Sequence, residues 1–400
     1  MDLKNFEANR LKRLPPYLFT IVETFKDEAR AAGLDLIDLG MGDPDMPTPK
    51  NIVDALCHSV EDKNTYKYSR TSGDVEQHLK RAIASWYQKR FAVNLDPATE
   101  VLPLIGSKEG VAHLALAFLN NDDIALVPSP AYPVHFNGVI MAGGILYNIP
   151  ITEETHYLPQ YDAIDSEILK KAKLLFISYP NNPTGAVATP EFFAETVKFA
   201  KKNEVIVCHD AAYSEITFDG YTSPSFLQIP GAKDIGVEFH SLSKTYNMAG
   251  WRIGFAVGNK DIISVLAKTK SYIDFGIFRG IQAAAIEALE GNQEHLPPLV
   301  KMYEHRRNLL VKELAKYGWN IEKSPGTFYV WGRIPQKFRH LSALNFVKKL
   351  ILQTGVALAP GTGFGDYGEG FIRIALVADD KTILEATKRI GEFLKNAKNN

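Results

Sequence analysis

Cysteine is nearly missing from this chain. Cys57 and Cys208 are the only two in 400 residues and lie far apart, which argues against a disulfide scaffold and fits a reducing compartment. Cys208 falls inside the apolar run Val205-Ile-Val-Cys-His209 and reads as inert core. No apolar stretch reaches the length of a membrane span. The opening residues, Met1 to Arg10, lack the apolar centre of a secretory signal. Formal net charge is −1 with Lys and Arg dispersed, so the basic block of a nucleic-acid surface is missing. The ten histidines show no His-Glu-x-x-His or comparable spacing, and no metal is expected. These absences lead us to expect a cytoplasmic protein without membrane or nucleic-acid partners.

What is present is a large apolar fraction, 46%, enough for one large and one smaller domain. Seven β-rich runs are expected: 101–107, 124–128, 145–151, 174–179, 205–209, 237–242 and 253–258. Several are almost continuously apolar, as in strands buried on both faces of a largely parallel sheet. Helical patterns such as 191–203 lie between most of them, which is the α/β signature. We expect a large domain over 49–295 and a small α/β domain built from 1–48 and 296–400. The paired prolines of Leu296-Pro-Pro-Leu299 are expected to interrupt regular structure at the boundary.

Polar residues punctuate the ends of these runs. Gly106-Ser107-Lys108 ends the first, Tyr132 follows the second and Asn182 follows the fourth. Asp210 and Lys244 follow the fifth and sixth. In open α/β sheets the carboxyl ends of the strands form the ligand crevice, so five elements converge on one rim. The segment from Val237 to Phe255 is the most telling. It places Lys244 behind Ser241 and Ser243, with Arg252 eight residues later. A lone strand-end lysine can be a snorkelling surface residue. Two hydroxyls and a guanidinium beside it suggest a phosphate cradle, and phosphate plus a reactive amine suggests pyridoxal 5'-phosphate held as a lysine Schiff base.

Four motifs, Asp210-Ala-Ala-Tyr213, Ser241-Leu-Ser-Lys244, Gly250-Trp-Arg-Ile-Gly254 and Tyr179-Pro-Asn-Asn-Pro-Thr-Gly185, resemble the class I/II aminotransferases of the aspartate aminotransferase fold. The resemblance runs from Gly40-Met-Gly-Asp-Pro-Asp45 to Arg373. Ile105 to His113 and Ser243 to Gly258 are most similar to bacterial alanine (glutamate–pyruvate) aminotransferases, with enzymes acting on aspartate or LL-diaminopimelate as relatives. It implies fold type I: a seven-stranded mostly parallel sheet plus a small domain. It also implies a homodimer exchanging amino groups between an amino acid, alanine or glutamate, and pyruvate or 2-oxoglutarate by ping-pong kinetics.

The resemblance assigns roles residue by residue. Lys244 carries the cofactor and shuttles the proton; Asp210 pairs with the pyridine nitrogen; Tyr213 and Asn182 donate to the phenolate oxygen. Tyr132 stacks on the ring. Backbone N–H groups of Ser107 and Lys108, with Ser241, Ser243 and Arg252, meet the phosphate, and Tyr68 reaches it from the partner subunit. Arg373 grips the substrate α-carboxylate, beside Gly42 and Asn182, and Tyr17 caps the pocket. One departure is Arg279-Gly280, where the alanine-type pattern has Thr-Pro. Arg279 is either a helix-start surface arginine or a charge for a distal carboxylate. Carbon–sulfur lyase chemistry on the same fold stays open. A Ser-x-x-Lys hydrolase at Ser241–Lys244 is a remote alternative, lacking a following Lys-Thr-Gly. A cofactor-sensing regulator would need a DNA-binding module, for which the segment before residue 48 has no room.

Overall fold

A computed structural model describes residues 6–69 and 73–396. Its centre is a sheet of β1 (Val101–Leu104), β2 (Ile124–Ser129), β3 (Ile145–Pro150), β4 (Ala172–Ser178), β5 (Ile206–Asp210), β6 (Gly236–Ser241) and β7 (Gly254–Gly258). The spatial order is β1-β7-β6-β5-β4-β2-β3. β7 runs antiparallel to both neighbours, and every other pairing is parallel.

The alternation of apolar side chains explains why the sheet is covered twice. Leu175, Ile177 and Val207 enter one apolar cluster with Leu79, Ile83 and Phe193. Leu174, Phe176 and Cys208, one residue out of phase, enter another with Val111, Leu114 and Leu266. Opposite faces of a strand thus pack under different helices. Thr189 caps the crossover helix Pro190–Asn203 by accepting the N–H of Phe192, with proline in its first turn.

A further cluster draws on both chain ends, joining Val22 and Phe25 to Tyr303, Phe328, Phe346, Ile372 and Ile390. It packs around a sheet of β8 (Tyr329–Arg333), β9 (Ala359–Pro360) and β10 (Phe371–Ala375), ordered β9-β10-β8 and antiparallel. The prolines at 297 and 298 do not interrupt regular structure. They stand in the first turn of the helix Leu296–Ala315, where a missing N–H costs no helical hydrogen bond. No helix among the described residues is long and apolar enough to cross a membrane.

Candidate active site

The carboxyl ends of β4, β5 and β6 open onto a cavity of about 620 Å³. It is lined by Tyr17, Gly42, Ser107, Lys108, Tyr132, Asn182, Asp210, Tyr213, Ser241, Ser243, Lys244, Arg252 and Arg373, every singled-out residue but Tyr68 and Arg279.

Each wall has a local cause. Asp210 ends β5; His135 Nε2 donates to its Oδ2 at 3.1 Å and the Ala212 N–H to its Oδ1 at 3.2 Å. Ser241 ends β6, and its Oγ accepts the Ser243 N–H, starting the short helix Leu242–Thr245 that carries Lys244. Lys244 Nζ donates to the Gly42 carbonyl at 3.2 Å. Burial lowers the Lys244 pKa, opposed by Tyr329 and Asp43 and reinforced by Arg373 and Arg252. Burial likewise pushes the Tyr213 phenol well up, with the Tyr329 phenol 3.1 Å from it adding to the effect.

The helix Ser107–Phe118 starts just past the end of β1, and its first residues Ser107 and Lys108 line the cavity with Arg252. Gly106, at φ +78°, precedes it. A Cβ on Gly106 would overlap the Arg252 guanidinium, so that corner is open only because the residue is glycine. Arg252 itself adopts φ +58°, which turns its side chain back into the corner, where Nη1 donates to Ala249 O at 2.8 Å. Helix N–H groups, two serines and a guanidinium make an anion cradle that fits a phosphate.

Arg373, on β10, is 3% exposed. Its Nη1 donates to Asn182 Oδ1 at 2.9 Å and its Nη2 to Gly40 O at 2.8 Å. The guanidinium lies between the rings of Tyr329 (3.9 Å) and Phe364 (4.5 Å), and its Nε has no partner. No carboxylate pairs with it among the described residues, an arrangement that suits a ligand carboxylate. A Cβ on Gly42 would overlap the Tyr329 phenol, which accounts for glycine there.

Tyr68 does not line the cavity of its own chain. It is 75% exposed, with its ring 5.0 Å from that of Phe275. Arg279 opens the helix Arg279–Glu290 away from the cavity, and its Nη atoms donate to the carbonyls of Asn64 and Tyr68, each at 2.9 Å. Sequence reasoning missed His135, Tyr329 and Phe364. His135 lies in an unremarkable helix, and only the fold brings it to Asp210.

These features define a fold-type I cofactor site, and comparison gives its family. Residues 35–390 match the family described as aminotransferase class I and II, and the chain belongs to it. It is a pyridoxal-phosphate-dependent aminotransferase acting on amino acids and 2-oxo acids. LL-diaminopimelate aminotransferase of Moorella thermoacetica is 47% identical over 388 residues, covering 97% of this chain and 98% of that one. BacF of Bacillus subtilis superposes with a TM-score of 0.92 at 39% identity, covering 96% of this chain and 98% of that one. A probable N-succinyldiaminopimelate aminotransferase of Thermus thermophilus gives 0.88, also at 39%, covering 94% and 99%. None of these three relatives is named for alanine, the donor expected from the motifs.

Proposed function

We propose that the amino donor is charged at both ends, LL-diaminopimelate in preference to alanine or glutamate. The observation behind this reading is the charge pattern of the cavity. Arg373 lacks a carboxylate partner, and Lys108 and Asp43, of opposite sign and without ion-pair partners among the described residues, line the same space. A donor with an amino-carboxylate at each end answers all three charges. Glutamate and aspartate bring Asp43 no charge beyond the Lys244 amine it already faces, and alanine brings none to Asp43 or Lys108. The name of the Moorella relative supports the same donor.

When bound, pyridoxal phosphate supplies an aldehyde that captures the amino group and a ring that takes up electrons. The backbone N–H groups of Ser107 and Lys108, with Ser241, Ser243 and Arg252, would hold its phosphate. Asp210, already anchored by His135 and Ala212, presents a carboxylate to the ring nitrogen. Tyr132 would cover the ring face, and Tyr213 and Asn182 would offer donors at its edge. Arg373 orients the substrate by its α-carboxylate. Lys244 Nζ, with its lowered pKa, takes the proton from the substrate Cα and hands it on. One site serves both half-reactions in turn, hence ping-pong kinetics.

Two copies are proposed to complete each other. Tyr68, Tyr272 and Phe275, 75%, 86% and 75% exposed, lie with Ile273 and Phe278 on one apolar surface of the kind that a second copy covers. The 49–295 and 1–48 plus 296–400 division is retained as a proposal, with the cavity between the two parts.

Steady-state assays with 2-oxoglutarate as acceptor test the donor. LL-diaminopimelate is expected to exceed alanine in kcat/KM by about tenfold, since Lys108 and Asp43 are exposed and two solvent-screened charge pairs contribute on the order of 1 kcal/mol. Equal values would return the assignment to alanine.

A further inference from the structure

Beneath the cofactor rim lies a buried polar cluster that the reaction does not use. Glu238 on β6 is 0% exposed and sits on the sheet face covered by the helix Asp74–Phe91. Its carboxylate faces five donors. Oε1 meets the Tyr87 hydroxyl and His240 Nε2, each at 2.7 Å. Oε2 meets His209 Nδ1 (2.8 Å), the Phe226 N–H (2.8 Å) and the Ser225 hydroxyl (3.1 Å). His209 and Tyr87 are fully buried, and His240 is 3% exposed.

An apolar residue at 238 would build the same core at less desolvation cost, so sheet formation alone does not call for a carboxylate there. What the carboxylate does is tie strand ends together. His209 is its register partner on β5 and immediately precedes Asp210. The other nitrogen of His209 faces the Tyr179 carbonyl at 3.1 Å, at the end of β4 and three residues before Asn182. Both ring nitrogens of His209 therefore face acceptors, Nδ1 the carboxylate and Nε2 the carbonyl. His240 is two residues before Leu242, on the strand that ends in Ser241 and leads to Lys244. One carboxylate thus reaches, through two imidazoles, the strand ends that present Asp210, Asn182 and Ser241–Lys244.

We propose that Glu238 is a positioning residue for the cofactor site, setting Asp210, Asn182 and Lys244 relative to one another through His209 and His240. This rests on the reading that those three residues hold and work on the cofactor. The groups facing the cluster are Tyr87 from the helix, Ser225 and the Phe226 N–H from the turn before β6, the Phe193 and Phe226 rings against His209, and the Trp86, Phe91 and Phe255 rings against His240. Those two hydrogen-bonded imidazoles hold the Glu238 carboxyl far below the ordinary range against the opposing cost of its burial.

The test is Glu238→Gln in the full chain, which keeps the shape but turns one acceptor into a donor facing donors. The expected result is a pyridoxal phosphate Kd raised at least tenfold in the apo-protein, and a kcat lowered at least tenfold with donor KM within twofold. Far-ultraviolet circular dichroism is expected to stay unchanged. In the wild type, nitrogen NMR of labelled histidine, assigned with His209→Asn, is expected to show a proton on His209 Nδ1, the nitrogen that faces the carboxylate. A variant with wild-type Kd and kcat overturns the proposal, as does a His209 ring with a bare Nδ1. A fall in melting temperature alone, with Kd and kcat unmoved, makes Glu238 merely structural and also overturns it. Should Glu238→Gln not fold, the wild-type histidine spectrum and the cofactor Kd of His240→Gln decide. Lys244→Ala distinguishes the two levels. If it keeps full activity, the site reading itself fails; if it is inactive while Glu238→Gln is normal, only the positioning role fails.

Discussion

Arg373 and Asn182 are joined by a 2.9 Å hydrogen bond across 191 positions of sequence. The bond links β10, in the sheet built from the chain's C-terminal third, to the loop after β4 in the large sheet. A residue poised for a carboxylate is thereby fixed against one poised at the ring edge.

Arg373→Ala is expected to lower kcat/KM for every amino donor by about 100-fold or more, because two charge-assisted hydrogen bonds at about 1.5–3 kcal/mol each are lost. Arg373→Lys is expected to recover little of this, since an ammonium does not reproduce the planar fork held between Tyr329 and Phe364. Steady-state kinetics with two different donors check both.

Lys244→Met in the apo-protein is expected to raise stability near neutral pH, by removing a buried amine. The sign follows from the depressed pKa. The unfolded chain keeps Lys244 protonated up to its ordinary 10.5, whereas the folded state releases the proton earlier. Between those values the unfolded state binds more protons, so wild-type stability rises with pH. Melting temperatures of wild type and Lys244→Met, measured from pH 7 to 10, are expected to converge as pH rises. The same variant is expected to lose activity by more than about 10⁴-fold, losing both nucleophile and proton carrier.

Gly106→Ala is expected to damage the anion cradle in two ways. It puts a Cβ onto the Arg252 guanidinium, and it strains a φ of +78° by about 1–2 kcal/mol. A weaker pyridoxal phosphate affinity, by about tenfold or more, read from absorbance titration of the apo-protein, checks it. Gly220→Ala, also at positive φ but with nothing near its Cβ, is the control for strain alone.

Acid is expected to loosen the cradle helix through Glu109. Although partial burial opposes it, the His113 ring in close contact and hydrogen bonds from Lys270 and the Ile105 N–H lower its pKa from 4.5 to about 2. A depressed carboxyl stabilises the fold above its unfolded value, and that contribution fades as pH falls through 4.5 to about 2. Glu109→Gln is expected to cost about 2 kcal/mol at pH 7 after solvent screening, and progressively less as acid is added. Urea unfolding at several pH values checks the slope.

All seven strands of the large sheet were legible, most of them because strands covered on both faces leave continuous apolar runs; the half-exposed edge strand Ile145–Pro150 was legible from its β-rich composition alone. That Lys244, Asp210 and Arg252 fall on one cavity was legible because each stands within a few residues of an apolar run's end. The prolines at 297 and 298 misled, since the same dipeptide can break an element or open a helix, and only the cap geometry decides.

The chain's own order of residues therefore determined the alternating fold, the phosphate-and-amine motif and the family. Tertiary structure alone decided which distant side chains meet: His135 at Asp210, Tyr329 and Phe364 around Arg373, and Glu238 between His209 and His240. The physical reason is that a motif carries information over a few residues of backbone, whereas these contacts exist only where separate strands and helices close on one another. Their partners leave no periodic or compositional trace, because a buried histidine or tyrosine reads as core until its hydrogen-bond partner is seen.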